Sequence, residues 1–140
     1  MSADTPARYT EWPVRVYYED TDTGGVVYYA NYLKFFERAR TEWLRALGLD
    51  QRMLAIQEHL LFVVRRADMA WRQPARLDDR LTIRTRMSEL GASSMLFEQQ
   101  ACRDGTILAD GQIQVCTVNA GSFKPVRIPA TLRILLHKAQ

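Results

Sequence analysis

Histidine is scarce in this 140-residue sequence: only His59 and His137 are present, alongside just two cysteines, Cys102 and Cys116. A Ser-His-Asp or Cys-His triad would have to use one of those two histidines, one placed just ahead of a strand and the other in the last few residues. No HExxH and no histidine–cysteine cluster at metal-ligand spacing occurs, so a zinc site is not expected. A GxSxG elbow, a Walker sequence and a GxGxxG turn are missing as well. The cysteines form no CxxC pair and read as buried free thiols of a reducing cytosol. Long apolar runs are also lacking: stretches such as residues 60–64 fall far short of the ~20 residues that cross a bilayer. Residues 1–6 show no basic-then-apolar leader pattern. The expectation is a cytoplasmic protein, neither secreted nor inserted in a membrane.

What is present fits one globular domain. Hydrophobic residues make up 47% and charged residues 25% of the chain, and a chain of this length buries about 65–70% of its unfolded surface. Lysine is rare, with Lys34, Lys124 and Lys138 the only three among nineteen basic residues. The rest are arginines, whose planar fork suits phosphate or carboxylate, although genomic composition and solvated strand faces are the better account of them. A net charge of +3 and no aromatic–basic RNA motif leave nucleic acid as the weakest partner.

Residues 1–12 read as a flexible arm punctuated by Pro6, ahead of a domain over 13–138. Residues 13–20 alternate, with Val14, Val16 and Tyr18 on one face, as in a strand. A turn cluster, Thr21-Asp22-Thr23-Gly24-Gly25, follows. The one strong helix is predicted over 30–47, where Tyr32, Leu33, Phe36, Ala39, Arg40, Trp43, Leu44 and Leu47 recur at three- and four-residue spacing and Gly48 stands as the C-terminal cap. A short helix over 50–58 comes next. The period then changes to two: strands are predicted over 60–72, 79–89, 93–103 and 107–118, the last pair a hairpin across Asp104-Gly105. Residues 121–125 form a loop, and Pro129 opens a terminal helix over 130–138. Met69, Trp71 and Phe97 are core or pocket candidates, with the core the better reading. The result is an α+β layer, an apolar helix wrapped by an antiparallel sheet whose edges call for a second chain, so a homo-oligomer is expected.

The chemistry concentrates in residues 18–32. Glu19, Asp20 and Asp22 sit between a strand and the first turn of the main helix, whose free N–H groups attract anions and oxyanions. Gly24 and Gly25 let the backbone approach a ligand closely. A carboxylate beside an electrophilic backbone pocket is what attack on an acyl carbonyl requires. A carboxylate here can equally serve only to cap the helix, worth ~0.5–2 kcal/mol, and spacing alone leaves both readings open.

The stretch VRVYYEDTDTGGVVY (14–28), running on into ANYLKFFERARTEWL (30–44), resembles the signature of hotdog-fold acyl-CoA thioesterases. It is most similar to the Tol-Pal system-associated subfamily, kin to 4-hydroxybenzoyl-CoA thioesterase. Phe62-Val63-Val64-Arg65 and Pro74-Ala75-Arg76-Leu77-Asp78-Asp79 agree, and the resemblance spans about residues 12–129. It implies a hotdog fold, a long central helix wrapped by an antiparallel sheet, assembled as a homodimer or a dimer-of-dimers tetramer. It implies hydrolysis of an acyl-CoA thioester to free acid and CoA, with Asp22 as nucleophile or general base. The backbone N–H of Tyr29 would polarise the carbonyl, a contribution of ~3–4 kcal/mol in other acyl-transfer sites, and no metal or redox cofactor is needed. Tyr29 stands where that subfamily usually has histidine and the hydroxybenzoyl branch has tyrosine. Gly25 and Ser94 are the further substrate-binding candidates. Arg65, Arg66, Arg72, Arg76, Arg80, Arg84 and Arg86 are candidates for the CoA phosphates.

Two other functions compete with this one. One is a non-catalytic or weakly catalytic module of a phospholipid pathway that binds acyl carrier protein. The other is a hotdog dehydratase, which wants a histidine near the acidic residue, and neither His59 nor His137 is placed for it.

Overall fold

Residues 9–140 are described by the computed structural model; most of the expected N-terminal arm, residues 1–8, lies outside them. Five strands form one antiparallel sheet: β1 (Thr10–Arg15), β2 (Leu60–Trp71), β3 (Arg80–Leu90), β4 (Ser94–Arg103) and β5 (Thr106–Asn119), in the order β1-β3-β4-β5-β2. The helices are α1 (Tyr32–Ala46), α2 (Gln51–Gln57) and α3 (Ala130–Ala139). This is the α+β hotdog arrangement, with α1 laid in the curl of the sheet.

The chain departs from its sequence pattern first at β1. The strand begins at Thr10, inside the expected arm, and ends at Arg15, five residues before the alternation stops. Val14 and Val16 are buried as the alternation requires, but Tyr18 is 82% exposed. The cause is local: the Asp20 carboxylate accepts the Tyr17 N–H at 2.8 Å and draws Tyr18–Asp20 into a 3-10 turn. At α1 the helix proper starts at Tyr32, preceded by a 3-10 turn over Tyr29–Asn31. Its C-terminus closes in a Schellman pattern, with the N–H of Gly48 on the Arg45 carbonyl and that of Leu49 on the Leu44 carbonyl. The Asp50 carboxylate caps α2 by accepting from the N–H groups of Arg52 and Met53.

The period-two pattern holds through β3, where Leu81, Ile83, Thr85 and Met87 turn inward. From β4 come Met95, Phe97, Gln99 and Ala101, and from β5 Ile113 and Val115. Against them α1 buries Tyr32, Phe35, Phe36, Ala39, Trp43 and Leu44; Leu33, on the expected apolar stripe, is exposed. Each large apolar side chain removed from water contributes about 1.5–3 kcal/mol. Trp43 meets Phe97 edge-on at 5.1 Å between ring centres. Bulges between Val64 and Arg66 in β2 and between Met87 and Glu89 in β3 bend the sheet around the helix.

One polar network crosses this apolar interface. The buried Arg40 guanidinium donates to Gln99 Oε1 at 2.9 Å. The Gln99 amide donates in turn to the Phe36 carbonyl and to Thr85 Oγ1, both at 2.9 Å. Burial lowers the Arg40 pKa to about 10, and Glu37 acts in the opposite sense. Both cysteines are free and buried.

The two sheet edges differ. β1 is short and carries Pro13, which blunts an edge. β2 is twelve residues long, with Val64 and Trp71 exposed. Beside it, a cavity of about 110 Å³ opens between α1 and the sheet, bordered by Glu37, Arg40, Phe62 and Val64 among others. No helix among the described residues is long and apolar enough to cross a membrane.

Candidate active site

The segment between β1 and α1 closes on itself. The Tyr28 N–H reaches the Asp20 carbonyl at 3.0 Å, the Asp22 N–H the Val26 carbonyl at 2.9 Å, and the Gly25 N–H the Asp22 carbonyl at 3.1 Å. Gly25 holds φ +79°, a left-handed value that favours glycine at the last position of this turn. The loop is tied to the chain beyond β2 by the Val27 N–H on the Ala75 carbonyl at 2.8 Å and by a bridge from Val26 to Arg76.

The three carboxylates of this loop occupy different surroundings. Glu19 is exposed. Asp20 is buried and both its oxygens are engaged, one by the Tyr17 N–H and the other by Asn31 Nδ2 at 2.9 Å. Asp22 is exposed; its Oδ1 accepts the Gly24 N–H at 2.8 Å, and its second oxygen accepts no hydrogen bond among the described residues. A Cβ on Gly24 would stand 3.2 Å from that Oδ1. Asp22 is thus oriented by its own turn yet open to a ligand, whereas Asp20 is spent on structure.

Tyr29 opens the 3-10 turn that leads into α1, and its backbone N–H finds no acceptor among the described residues. Its side chain is exposed, packed 4.8 Å from the Tyr28 ring and edge-on to Trp71 at 5.6 Å. Of the two readings for Trp71, core or pocket, the preferred core reading fails: it stands 47% exposed at the end of β2, where its Nε1–H donates to the Tyr29 carbonyl at 3.1 Å. Of the other two core candidates, Phe97 is buried and Met69 half-buried. Asn31 and Trp71 contact the candidate site, a placement that periodicity did not reveal. The signal for Asn31 was a small amide at the entry of an apolar helix; Trp71 was open as a pocket residue, but its contact with Tyr29 joins residues far apart in the chain.

The structure does not bring every candidate together within one chain. Ser94 is half-buried at the start of β4, at the end of the sheet remote from the Asp22 loop; nine steps of extended chain separate the ends of that strand, about 30 Å. His59, which precedes β2, lies at that remote end, as does α3 with His137, whose approach is tied by the Ile128 N–H to the Ala92 carbonyl. Among the arginines, Arg66, Arg72 and Arg86 are paired with Asp68, Asp110 and Glu98, and Arg84 donates to Gln100. Arg65, Arg76 and Arg80 form no ion pair among the described residues, and Arg76 is the one bridged to the Asp22 loop. Below it, burial opposes ionisation of Asp79, but the Arg76 N–H and the Arg103 guanidinium outweigh that effect and hold its carboxyl below the ordinary 3.8.

Sheet, enclosed helix and acidic loop together define a class, and the Thioesterase-like superfamily profile matches residues 16–136; the chain belongs to that superfamily. Particular relatives agree. The acyl-CoA thioesterase YbgC of Haemophilus influenzae is 45% identical over 126 residues, covering 90% of this chain and 93% of the relative. The acyl-CoA thioester hydrolase YbgC of Escherichia coli O6:H1 is 43% identical, covering 86% and 90%. Among solved structures, a probable thioesterase from Bartonella henselae superposes with a TM-score of 0.82 at 38% identity, over 86% of this chain and 99% of that one.

Proposed function

We propose that this protein is an acyl-CoA thioesterase in which Asp22 is the catalytic carboxylate and the Tyr29 N–H polarises the thioester carbonyl. The observation that carries the roles is the contrast between two aspartates: Asp20 has both oxygens occupied and is buried, while Asp22 is exposed with one oxygen free. The activity itself rests on the relatives, at 43–45% identity across most of the chain.

A thioester carbonyl bound at the Tyr29 N–H gains a preorganised donor at the oxygen where negative charge develops. Asp22 attacks the carbonyl carbon directly or takes a proton from the attacking water; either course expels the CoA thiolate and leaves the free acid after hydrolysis. Gly25 keeps this turn without a side chain over the loop, leaving room for the acyl group. Arg76, exposed beside the loop, is the first choice among the arginines for the phosphates of CoA. No step calls on a metal or redox cofactor.

The narrower placement, in the Tol-Pal-associated branch near 4-hydroxybenzoyl-CoA thioesterase, rests on the motif at residues 14–44, with Tyr29 in place of that branch's usual histidine. If the catalytic function of this position is its backbone N–H, the exchange costs little. The same reading takes the long bare β2 edge as the site of pairing with a second copy, in a dimer or a dimer of dimers, and lets Ser94 of one copy approach the loop of the other. It places the protein in the cytoplasm, with acyl carrier protein as a second thioester donor.

The decisive measurement is thiol release from a panel of acyl-CoAs. Wild type is expected to turn over and Asp22→Asn to lose at least about a hundredfold in kcat. Full activity in the variant removes Asp22 from the mechanism. Tight binding of acylated carrier with no turnover on any thioester would favour the binding-module function instead.

A further inference from the structure

Asp20 and Asn31 are both buried, 4% and 6% exposed, and their side chains meet at 2.9 Å across eleven residues of sequence. The main chain of the same two residues holds Tyr28 at both of its peptides, the one before it and the one that carries the candidate oxyanion donor. The Asp20 carbonyl accepts the Tyr28 N–H at 3.0 Å, and the Asn31 N–H donates to the Tyr28 carbonyl at 2.8 Å. That carbonyl and the Tyr29 N–H belong to one planar peptide unit, so fixing the first aims the second. The other oxygen of Asp20 holds the Tyr17 N–H at 2.8 Å, anchoring the pair to the chain leaving β1.

We infer that the Asp20–Asn31 pair is a positioning device for the reaction: it holds the Tyr28–Tyr29 peptide so that the Tyr29 N–H is aimed at the thioester carbonyl, without itself touching substrate. The inference rests on the thioesterase function above and on its assignment of the Tyr29 N–H. A buried carboxylate with two donors and a buried amide are costly to place unless satisfied, and here each satisfies the other at the point where the donor peptide must stay rigid. A donor that has to be aimed at the moment of reaction loses much of its worth, because preorganisation is what makes it effective, and misplacement on the order of 1 Å costs up to ~100-fold in rate.

The pair is tested by breaking and then re-forming it. Asn31→Ala removes the contact, and Asn31→Asp sets two carboxylates against each other. The exchange Asp20→Asn with Asn31→Asp restores it in reverse, the new amide donating to the new carboxylate while its oxygen still accepts from Tyr17. With an acyl-CoA that the wild type hydrolyses, each single variant is expected to lose about 10- to 100-fold in kcat with KM within about threefold. The exchange is expected to recover kcat to within about fivefold of wild type. A second readout is the vibrational frequency of an isotopically labelled thioester carbonyl bound in the Asp22→Asn background, where turnover is slow. Its hydrogen-bonded downshift is expected to shrink when Asn31→Ala is added. Folded single variants with kcat near wild type, a loss confined to KM, an unmoved carbonyl frequency, or a folded exchange variant that stays inactive would each overturn the inference. Should Asn31→Ala not fold, the exchange variant decides alone. Absence of turnover by the wild type, or full activity of Asp22→Asn, overturns the thioesterase mechanism instead and is seen in the same assay.

Discussion

Asp20 and Asp22 are two residues apart, share a side chain, and have opposite fates because of which N–H groups surround them. The Asx turn of Asp22 onto Gly24 leaves one oxygen free, and the absence of a Cβ at Gly24 leaves room for the other. Gly24→Ala would therefore displace the Asp22 carboxylate by a few tenths of an ångström while adding no positive-φ strain. We expect kcat to fall about tenfold with unfolding stability within ~0.5 kcal/mol of wild type, measured by thiol release and urea titration on the same samples. Asp79 makes a different prediction. Its folded pKa lies below the ordinary 3.8, so the stability it contributes with Arg103 is fully present above about pH 4 and is lost as pH falls through the folded value. For a partly exposed pair that contribution is on the order of 1 kcal/mol. Arg103→Gln should accordingly be less stable than wild type at neutral pH, and the difference should close below pH 4 in acid-unfolding curves.

Among the elements, α1 is held to the sheet by apolar packing and by one polar thread through it. Gln99 accepts from a buried cation and donates to the α1 backbone and to β3, so a single β4 residue links three elements. Gln99→Leu keeps the volume and removes all three contacts, leaving the Arg40 guanidinium without its acceptor. We expect a loss of about 3 kcal/mol in urea unfolding, larger than a surface substitution gives. Much of α1 was legible in the sequence, since Phe36, Ala39, Trp43 and Leu44 repeat at helical spacing and Gly48 ends it. The end of β1 was not: Val14 and Val16 alternate into Tyr18, and only the carboxylate of Asp20, reaching back to Tyr17, stops the strand at Arg15.

On the scale of the whole molecule, the sheet has one blunted edge and one long bare edge. β2 offers twelve residues of extended backbone, exposed Val64, and the open side of α1 next to it. Pairing there with a second copy predicts a dimer of twice the 16.2 kDa chain mass, or a tetramer built from it, by light scattering on a sizing column. Val64→Lys puts a charge on that edge and is expected to shift the population toward monomer. Activity should fall with it if the remote Ser94 end of one chain completes the site of another. A wild type that stays monomeric at micromolar concentration removes the β2 edge from this role.

Periodicity in the sequence determined most of the residues that face inward, Tyr18 and Leu33 excepted, because a period of 3.6 or 2 is fixed by local backbone geometry alone. It therefore settled most of the central helix and the inward face of β3, the Asp104-Gly105 turn marked the hairpin, and the motif around Asp22 marked the candidate loop. Which neighbours those faces meet is a different question, answered only by chain segments brought together from afar. The strand order β1-β3-β4-β5-β2, the exposure of Trp71 and its bond to the Tyr29 carbonyl, and the separation of Ser94 from the loop belong to the tertiary structure. So does the different hydrogen bonding of Asp20 and Asp22, since a carboxylate's surroundings are set by the donors folding brings to it, and Asn31 reaches Asp20 only once the chain has turned into α1.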